Sequence, residues 1–589
     1  MKNVVIDFES YYDKEVSVTE LGTPNYVNAA DAYLVGMVIG GKAQCGTVKE
    51  MGPLLEQLAK DPTVRPVAAN SNFDQAWWEK YFPPFQHDWH CLLDHGVYHQ
   101  YPRSLAGLVG AVLGDTVDKT IREGMRGKRY QDLTAGHQLK IQEYCMNDCK
   151  VEWQCLQKLS PMSLLEEKVA VHTRRVNRRG VAVNTVLVKD DKARLEAMRE
   201  DALQKIPWHD ESPPLSGKAL ARHCVEHNLP IPKSVAKTDE ACMELMTFSP
   251  ELAELIGHLR RFRRANTMLA KIEALELRLT GQGILPLDLL YCGAPHTRRW
   301  SSQGFNIQNL DKEPLFISDK IGSVWTRNWI IPRPGKIFYI ADFSQIEPRC
   351  LNWLAGNEEM LAGLRNGLSY YEAYARVTKG WKGAPGTLKA EFGKERYTKL
   401  KNEALGCGYG MGAAKYTTYA KVSEEEARRI VDGFRRANPK VVQLWRDLDR
   451  HIAKAAAESE RQLVVDMPSG EPLFHFNVHQ NGQRGFESYV VNCGDSFTNR
   501  QPRLWGGTLT ENVTQRMARD ILAEAIVKLE AAGLPVVFTV HDEVVLEVDD
   551  DASKEEAKKI AEEILVTAPE WAQDLPLGVE GTFAAAYTK

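Results

Sequence analysis

The sequence lacks any long apolar run. Nowhere in its 589 residues does a stretch reach the roughly 20 hydrophobic positions that a membrane-spanning helix needs. Met1 to Asp7 pass directly into a strand-like run without the apolar core of a secretion signal, so a cytoplasmic location is expected. Internal repeats and low-complexity tracts are missing, which leaves changes in hydrophobic pattern as the guide to domain boundaries. Cysteine is sparse and unpatterned. The most closely spaced of the 11, Cys145, Cys149 and Cys155, do not have zinc-knuckle spacing and are expected to be buried thiols in a reducing compartment. Net charge is also small, 74 Lys+Arg against 78 Asp+Glu, so a nucleic-acid partner would have to be announced by local clusters.

What is present is an ordinary globular composition, 43% hydrophobic and 26% charged, in a chain too long for one core. Residues up to about 158 mix short apolar strands with amphipathic helices, and the Ser160-Pro161 pair marks the break. The stretch from Met162 to roughly Thr280 is mostly helical by periodicity. It carries the basic run Arg260-Arg261-Phe262-Arg263-Arg264, which either tracks a phosphate backbone or is a solvated helix face. Farther on, Ile337–Ile340 and Val536–Val540 are apolar, strand-like and widely separated, and each leads to an acidic residue. A sheet joining their ends, with the helical segment between them folded over it, would make a cleft.

Two sets of acidic residues follow from this pattern. In the first, strand alternation after Val4-Val5-Ile6 puts the Asp7 and Glu9 carboxylates on one face. Asp74 stands at the start of an expected helix, where a helix cap is the alternative reading. Tyr144 and Asp148, four apart, share a helix face. In the second set, Asp342 ends the first strand, and His541-Asp542-Glu543 forms a hairpin turn after the other. Carboxylates are hard ligands suited to divalent cations, and two such ions can both activate an attacking oxygen and stabilise the leaving one in phosphoryl transfer.

The first set resembles the motifs of the DEDDy 3′-5′ exonucleases. This resemblance implies that Asp7, Glu9, Asp74 and Asp148 bind two Mg²⁺ ions, with Mn²⁺ as a possible substitute, and that Tyr144 positions the attacking water. The second set, Ala341-Asp342-Phe343-Ser344-Gln345-Ile346-Glu347 with Val540-His541-Asp542-Glu543, resembles motifs A and C of family A DNA polymerases. It implies that Asp342 and Asp542 hold two Mg²⁺ ions, that Glu543 supports them, and that Glu347 excludes a 2′ hydroxyl beneath the incoming sugar. Gln345 is counted with the nucleotide-binding set. Pro348 replaces the usual leucine.

The run from Arg396 to Gly410 resembles motif B, with Tyr397, Lys401, Leu405 and Tyr409 at helical spacing. Lys401 would bind the triphosphate and protonate the departing pyrophosphate, while Leu405 and Tyr409 would wall the nucleotide. Tyr397 stands where the family has an arginine, and Arg396 and Lys399 lie about 100° or more round the helix from it. Arg299, Asn306, Gln308, Gln515 and His541 resemble the duplex contacts of the family. Arg299 and Gln515 would donate to minor-groove acceptors that every correct base pair presents.

The expected fold is α/β and α+β multidomain: a ribonuclease H-like exonuclease domain over 1–158, a thumb over 159–285, a palm over 286–360 and 500–589, and fingers over 361–499. The resemblance is to the compact phage-type branch. The expected function is template-directed synthesis with proofreading, in phage-type DNA replication. Expected partners are primer-template DNA, deoxynucleoside triphosphates and possible replication accessory proteins, with no membrane and a monomeric chain. The competing reading is a primer-template binding module whose polymerase site is idle, suggested by the missing motif B arginine.

Overall fold

A computed structural model describes residues 1–480, 486–490 and 499–588. In the N-terminal region, β1 (Lys2–Ser10), β2 (Ala32–Ile39), β3 (Lys42–Thr47), β4 (Val64–Ala68) and β5 (His90–Cys91) form one sheet in the order β3-β2-β1-β4-β5. The β1–β2–β3 part is antiparallel, while β4 and β5 continue parallel to β1. Alternation along β1 separates two environments. Val4, Ile6 and Phe8 enter a core with Trp77 and Trp78, whereas Val5 packs on the other face with Cys149 of the helix Ala135–Lys158. Asp7 and Glu9 therefore lie on the face that the long helix covers.

The middle region is helical, as its periodicity suggests. Ser249 caps the longest helix, Pro250–Arg278, with Pro250 in its first turn, where the missing N–H is no loss. That helix packs along Thr185–Leu203. Among the run of arginines, Arg260 donates to the Val235 and Ala236 carbonyls at 2.8 and 2.9 Å, Arg261 pairs with Asp201 at 3.6 Å, and Arg264 pairs with Asp311 at 2.6 Å. Much of the run thus holds its own chain together. The same residues and Arg263 line a cleft of about 870 Å³ with Lys237 and Lys312.

Beyond it, the strand Lys336–Phe343 is central to an antiparallel sheet. Its order is Val536–Val540, Glu543–Asp549, Lys336–Phe343, Val579–Ala584. The apolar side chains of Gly506–Ala531 cover one side. Leu164–Arg179 is pinned to that helix by a buried ion pair between Glu166 and Arg519, with the Tyr291 hydroxyl donating to Glu166 at 2.6 Å. Such a pair is costly to break, because either partner alone would be a buried uncompensated charge. The N-terminal region is tied on by Asp94, which accepts from Arg103 and Arg174.

Between the two halves of this sheet, helical side chains from Leu351 to Trp445 share one core that includes Tyr370, Tyr374, Trp381 and Phe434. From Leu448 onward, including Leu463 and Leu473, the side chains join the core beneath Gly506–Ala531 instead. The expected 361–499 segment includes residues 481–485 and 491–498, which lie outside those described. No described helix is long and apolar enough to cross a membrane.

Candidate active sites

The central sheet brings the two distant aspartates of the second set together. In the ladder Asp342 lies opposite Glu543, and the Phe343 N–H donates to the Asp542 carbonyl at 3.3 Å. Burial, and then the neighbouring charge of Asp342, push the Asp542 carboxyl up to about 6. Two acids held close in a half-buried turn repel one another, and a divalent cation relieves that repulsion. Glu543 is buried beside Tyr587, whose hydroxyl is driven upward by burial and by that carboxylate. The backbone is left-handed at Gln345 (φ 53°) and His541 (φ 56°), an unusual state for side chains with a Cβ, so strain is stored on both sides of the cleft.

A cavity of about 210 Å³ opens beside Asp542, lined by Glu347, Gln345, Tyr370, Leu405 and Tyr409. The Tyr409 hydroxyl donates to Glu347 at 3.0 Å, and Arg299 stands 3.6 Å from the other oxygen of that carboxylate. Arg299 also donates to Gln515 at 2.9 Å. These two lie with His541 and Asp542 around an adjoining small cavity. Gln308 donates to the Thr539 carbonyl at 3.5 Å, just before the turn. Asn306 donates to Ser302 at 3.1 Å and leaves its buried Oδ1 without a partner.

Three expectations change in detail. The helix Leu388–Cys407 ends before Tyr409, so the four-residue row is not one helix face; Gly408 and Gly410 (φ 78°) end it, and Tyr409 reaches Glu347 from the turn. Gln345 lines the cavity, but its amide oxygen is engaged, accepting the Tyr370 N–H at 2.8 Å at the start of a later helix. Lys401 does not line the cavity; its ammonium lies 5.4 Å over the Tyr371 ring, which Tyr397 meets edge-on at 6.0 Å. Neither candidate replacement for the arginine points there, because Arg396 stacks on Phe392 at 3.9 Å and Lys399 pairs with Glu395 at 3.3 Å.

In the N-terminal region Asp7 and Glu9 sit beneath the helix that carries Tyr144 and Asp148. Asp74 is not a cap, since Asn70 holds that position; it accepts the Phe8 N–H at 3.0 Å, which locks it against β1. Tyr144 hydrogen-bonds Asp148, and the other buried oxygen of Asp148 has no partner. Burial, then Asp148, push Asp7 up to about 7, and burial alone pushes Asp148 up to about 6 against the Tyr144 bond. Glu9 and Asp74 are raised well above the carboxylate range, by burial first and then by Asp7. A pocket that so disfavours its own carboxylates suits cations. Pattern reading missed three residues here: Arg122, the positive charge that most opposes the upward shift of Glu9 and Asp7; Cys145; and the fully buried Glu152. Only Glu152 left a signal, continuing the spacing of Tyr144 and Asp148 by four.

Residues 192–467 match the model of DNA polymerase family A. That span includes Asp342, Glu347 and Lys401 but stops short of Asp542. A DNA polymerase of Bacillus phage SP02 is 27% identical, with 100% of each chain covered.

The match to DNA polymerase family A thus takes in the middle of the chain. DNA polymerase I of Aquifex aeolicus is 24% identical across 73% of this chain and 68% of its own length. The thermostable DNA polymerase I of Thermus filiformis is 28% identical, but only 30% of its length is matched. Among solved structures, the polymerase domain of Pol1 from M. smegmatis, in complex with DNA primer-template and dNTP, superposes with a TM-score of 0.68 at 18% identity, covering 100% of this chain and 95% of that one. The fold thus matches along the whole chain, N-terminal region included.

Proposed function

We propose that this chain is a template-directed DNA polymerase with a 3′→5′ proofreading exonuclease, acting on primer-template DNA and deoxynucleoside triphosphates in phage-type replication. The meeting of Asp342 and Asp542 beside a cavity walled by Glu347 and Tyr409 carries the reading. Asp342 and Asp542 would hold the divalent ions, Mg²⁺ with Mn²⁺ as substitute, and the raised Asp542 carboxyl fits that role. When bound, such ions lower the barrier by neutralising charge on the triphosphate and the attacking hydroxyl.

The chain's own residues do the rest. Tyr409 orients Glu347, so the carboxylate fills the space that a 2′ hydroxyl would need. Leu405 offers an apolar wall at the same cavity. Arg299 and Gln515, already bonded to one another, present donors where the minor groove of a newly made pair would lie. Lys401, held over Tyr371, is the nearest motif B cation for a triphosphate, and serves in place of the missing arginine as well as in its own position.

The separate N-terminal carboxylates support hydrolysis of a melted primer end, with Asp7, Glu9, Asp74 and Asp148 as ion ligands and Tyr144 orienting water. The order β3-β2-β1-β4-β5, antiparallel then parallel, supports a ribonuclease H-like domain. Primer extension with matched and mismatched ends, on the intact chain and on Asp542→Asn and Asp148→Asn, tests both sites. Extension lost only in the first variant and digestion lost only in the second is expected. Digestion without any extension by the intact chain would favour an idle polymerase site.

A further inference from the structure

Cys145 is the residue of the N-terminal site for which the proposed hydrolysis has no use, yet the fold gives it a defined place there. In the β1–β2 ladder the residue opposite Asp7 is Gly36. A Cβ there would lie 2.7 Å from the Cys145 sulfur and 2.8 Å from that of Cys149, so the sulfurs occupy the space where a side chain would stand. This absence of a Cβ lets the Ala135–Lys158 helix settle until Cys145 Sγ is 3.9 Å from Asp7 Oδ2. One ligand atom each from Asp7, Glu9 and Cys145 then lie within 4.8 Å of one another, which no other trio of Asp, Glu, His or Cys achieves among the described residues.

The spacing has a chemical meaning. An ion with metal–sulfur and metal–oxygen bonds of about 2.3 and 2.1 Å at a tetrahedral angle holds its sulfur and oxygen about 3.6 Å apart. The Cys145–Asp7 separation of 3.9 Å needs a few tenths of an ångström of closure, and the trio as a whole, spread within 4.8 Å, needs up to about 1 Å. Further acceptor capacity lies nearby: Asp148, whose charge acts on Asp7, is 6% exposed and has an unpartnered Oδ1. One turn on, the fully buried Glu152 feels the charges of Asp7, Asp74 and Asp148, with the Ala69 backbone N–H as its one opposing group.

We propose that the N-terminal acidic site takes a thiophilic divalent cation, of the Zn²⁺ or Cd²⁺ class, ligated by the Cys145 sulfur together with Asp7 and Glu9. This rests on reading that site as a cation site, and adds which cations it selects. Hard Mg²⁺ gains nothing from sulfur, whereas softer ions do. On binding, a metal–sulfur bond replaces a metal–water bond and the S–H proton passes to solvent, with no change of oxidation state. The site would therefore be occupied by trace Zn²⁺ in competition with Mg²⁺.

The test titrates Co²⁺, as a spectroscopic stand-in for Zn²⁺, into the full chain, into Cys145→Ser and into Cys224→Ser, whose thiol lies in the helical middle region. A sulfur-to-cobalt charge-transfer band in the intact chain and in C224S, absent from C145S, is expected, with Cd²⁺ affinity falling about 10–100-fold in C145S. A band that persists in C145S, or is missing from the intact chain, overturns the proposal. Should C145S fail to fold, cadmium NMR of the intact chain decides, since a sulfur ligand moves the resonance out of the all-oxygen range and its absence refutes the assignment. Mg²⁺-dependent digestion of single strands by the intact chain separates the two ideas. Digestion without a sulfur signal refutes this inference alone, and a sulfur signal without digestion refutes the nuclease reading alone.

Discussion

Replacing Asp542 by asparagine should destroy synthesis and yet stabilise the metal-free protein. Its carboxyl is raised from 3.8 to about 6 by burial and by Asp342. A shift of roughly two units, at about 1.4 kcal/mol each, corresponds to roughly 3 kcal/mol, and partial exposure of the turn discounts this to about 1–3 kcal/mol. The sign follows from linkage. The folded state holds the proton more tightly than the unfolded chain, so the cost is absent below a pH of about 4, grows between about 4 and 6, and is complete above that. The amide of the variant would carry no charge, and so would escape the cost. Urea unfolding in EDTA at a pH near 7.5 should therefore show D542N more stable than the parent by about 1–3 kcal/mol, with the difference vanishing near pH 4. Added Mg²⁺ should stabilise the parent and leave the variant almost unmoved. Equal stability of the two proteins at both pH values would refute the claim that the fold stores like-charge repulsion at this turn.

Glu347→Ala removes the carboxylate that Tyr409 holds at 3.0 Å, and should lower discrimination against ribonucleotides by about 10–200-fold in single-nucleotide extension. Leu405→Tyr restores an aromatic wall at the cavity, and the ratio of dideoxynucleotide to deoxynucleotide incorporation should rise. Gly36→Ala forces a Cβ to within 2.7 Å of the Cys145 sulfur, so the Ala135–Lys158 helix must shift; a loss of about 1–3 kcal/mol in the N-terminal region is expected by hydrogen exchange, with digestion lost and extension retained. Lys401→Ala should raise KM for deoxynucleoside triphosphates and lower kcat, whereas an unchanged KM would argue that its place over Tyr371 is merely structural.

What the sequence determined alone is local. Alternation along Lys2–Ser10 puts Asp7 and Glu9 on one face, because successive Cβ atoms in a strand point to opposite sides. Helical spacing sets Tyr144 over Asp148, and two apolar runs around His541-Asp542 make a hairpin. The family resemblance supplied the pairing of Asp342 with Asp542, which no periodicity could supply. The tertiary structure decided what each of these groups meets. Sheet register seats Asp342 against the turn, Gly36 admits Cys145 to Asp7, and Arg122 arrives from a segment with no pattern of its own. It also turned Gln345 into a helix partner and moved Tyr409 beyond the end of its helix. The physical reason is one of range. Steric and hydrogen-bond preferences act over a turn of helix or a few strand residues, whereas the environment of a charge depends on every element packed against it, and those are brought near only when the whole core closes.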